Sequence, residues 1–181
     1  MKYQKIRSTT ILGVRSKKEV AIAGDGQVTF GDMAMKQKAI KVRKFDSSKG
    51  GVVGGFAGAA ADALTLFEKF EQKLDEYEGD LKRSVVEMAK EWRTDKMLRH
   101  LEALLLVMDK KDSFIIAGDG NVIEPDGPVV SIGSGGGFAQ AAAIAFHQSG
   151  GYSAKKIAEE SLKIAAGLCI YTNDSITVLE L

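Results

Sequence analysis

The chain places its helix-forming patterns in two adjacent pairs and its strand-forming patterns in runs around them. Strand runs are expected over residues 9–14, 19–23, 27–30, 39–45 and 51–57, where β-branched and apolar residues are separated by Gly, Asp and Ser turns. Ala63, Phe67, Phe70, Leu74 and Tyr77 then step by four, three, four and three, which predicts one helix with a single apolar stripe. Leu81, Val85, Met88 and Trp92 repeat the stripe after a Gly79-Asp80 break. Strands return at 102–108, 113–118, 121–124 and 129–133, followed by helices over 138–148 and 154–168. Ser153 is the expected cap of the last helix, with Tyr152 and Ile157 as its hydrophobic staple, and 175–181 closes as a strand. Helices that come in pairs, rather than alternating singly with strands, argue against a doubly wound parallel sheet. The layer rule is met by an α+β fold, a four-layer α/β/β/α sandwich of two mainly antiparallel sheets flanked by helix pairs.

With 181 residues the chain suits one domain and can bury a core without covalent staples. Lys and Arg number 25 against 24 Asp and Glu, so there is no basic excess of the kind a nucleic-acid binder carries. One cysteine, Cys169, can form neither an internal disulfide nor a zinc cluster, and fits a reducing compartment. The longest run of large apolar residues, 104–108, is far shorter than the roughly 20 residues of a membrane helix. No apolar stretch follows the basic MKYQKIRS start, so a secretory signal is not expected. A cytoplasmic protein with no membrane partner is the reading these features support.

Much familiar chemistry is missing. His100 and His147 have no partner motif, and there is no nucleophile elbow, Walker loop or metal-ligand cluster. A hydrolase built from this chain needs a base other than histidine. Ser8-Thr9-Thr10 offers one. A threonine hydroxyl is a weak nucleophile, but the α-amine of the same residue can act as its base, with a reference pKa of about 7.7–8.0. That chemistry requires Thr9 to be the first residue, hence removal of residues 1–8 by a cut between Ser8 and Thr9. Strand composition alone would also explain the Thr pair.

Other residues fit the same site. Gly24-Asp25-Gly26 can hold a carboxylate in a tight turn. Alternation over 39–45 is expected to put Lys41 on one strand face with Arg43, opposite Ile40 and Val42. An ammonium at Lys41, fixed by Asp25, would lower the pKa of a nearby α-amine by like-charge repulsion. Gly54 to Gly58 and the Ser131–Gly137 glycine run both precede helices and could aim backbone N–H groups at an oxyanion.

In order and spacing these segments resemble the peptidase subunits of the bacterial two-component ATP-dependent heat-shock protease, relatives of proteasome β-subunits. The likeness runs from Thr9 to the C-terminus through TTILGVR, AIAGDGQVTFG, GGFAGAAADALTLFEKFEQKL, EWRTDKMLRHLEALL, IGSGGGFAQAAA and CIYTND. It implies the N-terminal-nucleophile hydrolase fold, with residues 1–8 a propeptide and 9–181 a single peptidase domain. Thr9 matches the family nucleophile, Asp25 its acidic partner and Lys41 the lysine that tunes the amine. Gly55 matches the oxyanion-hole glycine, and Ser134 the serine that positions the amine and its water. No cofactor is implied for the chemistry. A monovalent cation, sodium, is expected on the backbone carbonyls of positions matching Ala166, Cys169 and Thr172. Ala166 departs from the usual glycine, which would strain the backbone if that position required a positive φ. The likeness also implies two stacked hexameric rings of this subunit and an AAA+ unfoldase ring that uses the ATP and delivers unfolded proteins. A different N-terminal-nucleophile amidohydrolase and a non-catalytic ring scaffold are the alternatives.

Overall fold

The computed structural model describes residues 6–7, 9–17, 19–47, 49–94 and 103–181. In chain order the strands are β1 (Ile6–Arg7), β2 (Thr10–Ser16), β3 (Glu19–Gly24), β4 (Val28–Phe30), β5 (Met33–Lys36), β6 (Val42–Phe45) and β7 (Val52–Gly58). Helices α1 (Ala60–Glu76) and α2 (Leu81–Thr94) follow, then β8 (Ala103–Met108), β9 (Ser113–Ala117), β10 (Val122–Ile123) and β11 (Val129–Gly133). Helices α3 (Gly136–Ser149) and α4 (Ala154–Leu168) precede the last strand, β12 (Thr177–Glu180). His100 and the start of the strand expected at 102 lie outside the described residues.

Two antiparallel sheets form the centre. One runs β10-β9-β8-β7-β6 and the other β11-β2-β3-β12. The predicted helix stripe explains the outer layer on the first sheet: Phe67, Phe70, Leu74, Val85, Met88 and Trp92 pack with Leu105, Val107 and Ile116. Trp92 is fully buried and its indole N–H donates to the Gly118 carbonyl at 3.0 Å. Truncating such a side chain to alanine costs about 3–5 kcal/mol. On the second sheet Leu12, Val14, Ala21 and Ala23 meet Ala139, Ala143, Ile157, Ala158 and Leu162 of the other helix pair. Ile11, Ile22, Val42, Val53 and Leu106 fill the space between the sheets. This is the expected α/β/β/α sandwich.

Helix α4 has the expected limits, and the Ser153 hydroxyl accepts the Lys156 N–H at 3.2 Å. The Tyr152 ring stands edge-on to Phe146 at 5.4 Å and lines one surface cleft together with Ile157. Two strands escaped the sequence pattern. β5 has all four residues exposed, so it lacks the apolar alternation that marks a half-buried strand. It joins β1 and β4 in a small sheet ordered β1-β4-β5, with Ile6 opposite Phe30 and Arg7 opposite Thr29. The strand expected over 39–45 begins only at Val42. Its parity therefore fails upstream, and the expected shared face of Lys41 and Arg43 is corrected. Ile40 is 74% exposed, Arg43 is exposed, and Lys41 is buried.

Candidate functional site

Asp25 follows the last residue of β3 and sits at 0% exposure, where an isolated carboxylate would be costly. Its four hydrogen bonds offset that cost. Oδ1 accepts the Thr10 N–H at 2.7 Å and the Lys41 ammonium at 2.9 Å; Oδ2 accepts the Gln27 N–H at 2.9 Å and the Asn173 N–H at 3.4 Å. Lys41 is 2% exposed and also donates to the Gln27 carbonyl. Burial pushes the Lys41 ammonium below the usual lysine range, while the Asp25 charge and hydrogen bond oppose that shift.

Thr9 lies immediately before β2 and is buried. With Lys41 it lines a cleft of about 500 Å³ whose walls include Val28, Ile40, Phe56, Gly58 and Leu64. The peptide joining Thr9 to Thr10 is pinned on both sides: Ser134 N–H donates to the Thr9 carbonyl at 2.9 Å, and the Thr10 N–H donates to Asp25. Thr9 has φ of +150°, an unusual value for a β-branched residue. Such a conformation costs about 1–3 kcal/mol, and it falls at the residue whose amide joins it to Ser8.

Two glycines of the run before α3, Gly133 and Gly135, are required by close approaches to this segment and its neighbours. Gly133 has φ of +93°, and a Cβ there would lie 1.9 Å from the Thr9 carbonyl oxygen. A Cβ at Gly135 would lie 2.4 Å from the Thr10 hydroxyl and 2.5 Å from that of Thr172. Ser134 thus reaches Thr9 through its main chain.

Gly55 is not brought to the cleft. It stands mid-strand in β7, opposite Val42 on one side and Leu106 on the other. Because Phe56 N–H donates to the Lys41 carbonyl, the alternation of an antiparallel ladder turns the Gly55 N–H toward β8. A Cβ at Gly55 would meet Ile11 Cγ2 at 2.6 Å, so its smallness serves the packing between the sheets. Three residues on, Gly58 ends β7 with φ of +131° and lines the cleft. The same alternation turns its N–H to the β6 side, beyond the point where β6 begins.

Ala166 lies in the last turn of α4, Cys169 caps that helix and Thr172 follows three residues later. The helical backbone of Ala166 has no positive φ, so alanine in place of glycine brings no strain at that position. The Thr172 N–H donates to the Cys169 carbonyl at 3.0 Å. Carbonyls at a helix C-terminus carry partial negative charge and leave acceptor capacity, a donor set that suits a monovalent cation. No cluster of three or more His, Cys, Asp or Glu side chains able to hold a metal occurs among the described residues.

Sequence reasoning overlooked the links between these parts. The Asn173 side chain accepts the Gly26 N–H at 3.0 Å and donates to the Gln37 carbonyl at 2.9 Å. The Gln27 amide donates to the Ile170 carbonyl at 2.8 Å. Both ties join the segment after α4 to the residues that follow Asp25, and both Ile170 and Asn173 lie in the CIYTND run.

Comparison with known proteins agrees with this geometry. The family model described as Proteasome subunit matches residues 6–181. An ATP-dependent protease subunit HslV from Treponema denticola is 54% identical over 178 residues, covering 98% of this chain and 99% of the relative. The crystal structure of eukaryotic HslV from Trypanosoma brucei superposes with a TM-score of 0.87 at 45% identity, covering 95% of this chain and 98% of that one. BPH of Thiobacillus denitrificans, in complex with epoxomicin, gives a TM-score of 0.77 at 18% identity and covers 95% and 97%, a likeness of fold.

Proposed function

The chain belongs to the proteasome-subunit family, in its HslV branch, and from that premise we infer that Thr9, freed as the first residue, is its nucleophile. The protein is a threonine-nucleophile endopeptidase subunit that serves ATP-dependent protein degradation. The observation that carries the assignment of residues is the buried Asp25–Lys41 pair at the cleft that Thr9 lines.

In the reaction the Thr9 amine accepts the proton of the Thr9 hydroxyl, directly or through a water, as Oγ1 attacks the scissile carbonyl. Lys41, held by Asp25, lowers the amine toward neutrality and favours the developing alkoxide. The tetrahedral oxyanion needs a donor aimed into the cleft. Gly58 meets that requirement through its position at the end of β7, and we place the oxyanion donor there rather than at Gly55. Collapse of the intermediate breaks the peptide C–N bond, and the leaving amine takes a proton from the Thr9 ammonium. Water then hydrolyses the Thr9 ester and restores the hydroxyl. The Ser134 hydroxyl is assigned to orient the amine and its water.

The same hydroxyl, acting on the Ser8 carbonyl, would remove residues 1–8. The φ of Thr9 supports this, since the cut relieves the constraint on that backbone. The Ala166, Cys169 and Thr172 carbonyls would hold sodium, which would supply fixed positive charge beneath the Thr172 segment. Family membership implies a ring of subunits working with HslU. We propose two stacked hexamers with HslU as the AAA+ ring, acting in the cytoplasm. Enclosure explains how a broadly cutting site spares folded proteins.

Thr9→Ala tests the assignment. It should abolish peptidase turnover and leave residues 1–8 attached, read by intact mass; a variant that still hydrolyses peptides at the wild-type rate rejects Thr9 as nucleophile.

A further inference from the structure

From the sequence Thr10 is only the next residue of a β-branched strand. In the fold it is fully buried and its polar groups are engaged. Its N–H donates to Asp25 Oδ1 at 2.7 Å and its carbonyl accepts the Asp25 N–H at 3.2 Å. Its hydroxyl accepts the Gly135 N–H at 2.9 Å and lies 2.7 Å from the Thr172 hydroxyl. One side-chain oxygen thus joins three segments far apart in sequence: β2, the glycine run that opens α3, and the turn that leaves α4.

The neighbouring amide gives this junction a catalytic meaning. Ser134 N–H holds the Thr9 carbonyl, and Ser134 is followed directly by Gly135, the residue anchored on the Thr10 hydroxyl. Loss of that hydroxyl would leave a buried Gly135 N–H without its partner and loosen the loop that fixes Thr9. Small displacements matter at such a centre: a misplacement of about 1 Å can reduce a rate about 100-fold.

We propose that the Thr10 hydroxyl is a positioning group for the Thr9 nucleophile, acting through its hydrogen bonds to Gly135 and Thr172 and not through the bulk of its side chain. Thr10 touches no reacting atom in this scheme. Its contribution is to hold the Ser134–Gly135 loop in one arrangement, so that the Thr9 amine and hydroxyl keep a fixed direction into the cleft. This rests on Thr9 being the nucleophile.

The test compares Thr10→Val, which keeps the shape and removes the hydroxyl, with Thr10→Ser, which keeps the hydroxyl and removes the methyl. Both are made in the full chain and assayed as assembled protein with the unfoldase and ATP, beside Thr9→Ala. Thr10→Val should lower kcat about 10- to 100-fold, with KM within about twofold and slower loss of residues 1–8 by intact mass. Thr10→Ser should keep kcat within about threefold of the wild type despite the methyl-sized hole it leaves. A packing role gives the opposite order, with Val normal and Ser impaired, and overturns the proposal; equal impairment of both does the same. Should Thr10→Val fail to fold, Thr172→Val removes the other hydroxyl and retains the Thr172 carbonyl. It should lower kcat several-fold, and an unchanged kcat overturns the proposal. Activity in Thr9→Ala would defeat the underlying nucleophile assignment, whereas a dead Thr9→Ala beside a full-speed Thr10→Val defeats this inference alone.

Discussion

Asp25→Asn removes one charge from a pair in which both side chains are almost wholly buried, at 2% and 0% exposure. The oxygens of Asp25 accept from Thr10, Lys41, Gln27 and Asn173. An asparagine amide, whichever way it is turned, sets an NH2 against two of those donors. It also leaves the Lys41 ammonium without a counter-charge. Breaking one side of a buried pair costs about 3–5 kcal/mol. For a chain of this length each kcal/mol lowers Tm by about 2–4 °C, so the expected fall is about 6–20 °C. Thermal melting at fixed protein concentration measures it, since assembly makes Tm depend on concentration. Turnover should fall as well, because Lys41 loses the group that aims it. A second variant separates charge from shape. Adding Lys41→Met to Asp25→Asn removes the orphaned charge and should recover at least half of the lost stability without restoring turnover. A single variant that melts within about 2 °C of the wild type and retains more than about a tenth of kcat would refute the account.

The remaining predictions concern pH and the glycine loop. Lys41 is charged below its folded pKa and loses that charge as the pH rises through it; burial sets this value below the ordinary 10.5, so the alkaline limb of kcat should fall below pH 10.5. A limb at or above that pH speaks against a buried ammonium at the centre. Gly133→Ala puts a methyl 1.9 Å from the Thr9 carbonyl oxygen at a backbone angle that disfavours alanine. It should slow both turnover and loss of residues 1–8 by at least about tenfold, and normal values for both in assembled protein would refute the close approach.

The helical half of the fold was legible because its signals are local. Phe67, Phe70, Leu74, Val85, Met88 and Trp92 are buried where a helical stripe requires it, and Ser153 caps α4 as its side-chain chemistry predicts. β5 and the late start of β6 were not legible. Exposed Met33 and Met35 carry no alternation, and the pairing that sets the start of β6 lies with β7. The misjudged face of Lys41 came from extending a period-two rule past the point where the ladder holds it.

The order of residues along the chain set which groups were available: a threonine pair behind a basic octapeptide, an acid in a glycine turn, a lysine and two glycine runs. It also determined the layer order, since paired stripes can bury their apolar faces only against two sheets. Tertiary structure alone decided which groups meet. Asp25 and Lys41 are 16 positions apart, Thr10 and Thr172 are 162 apart, and their contacts depend on how the strands register across the sandwich. The glycines divided on the same basis. Gly55 and Gly58 look alike in the chain, but strand alternation turns the Gly55 amide to the β8 side and the Gly58 amide to the β6 side, and Gly58 lines the cleft.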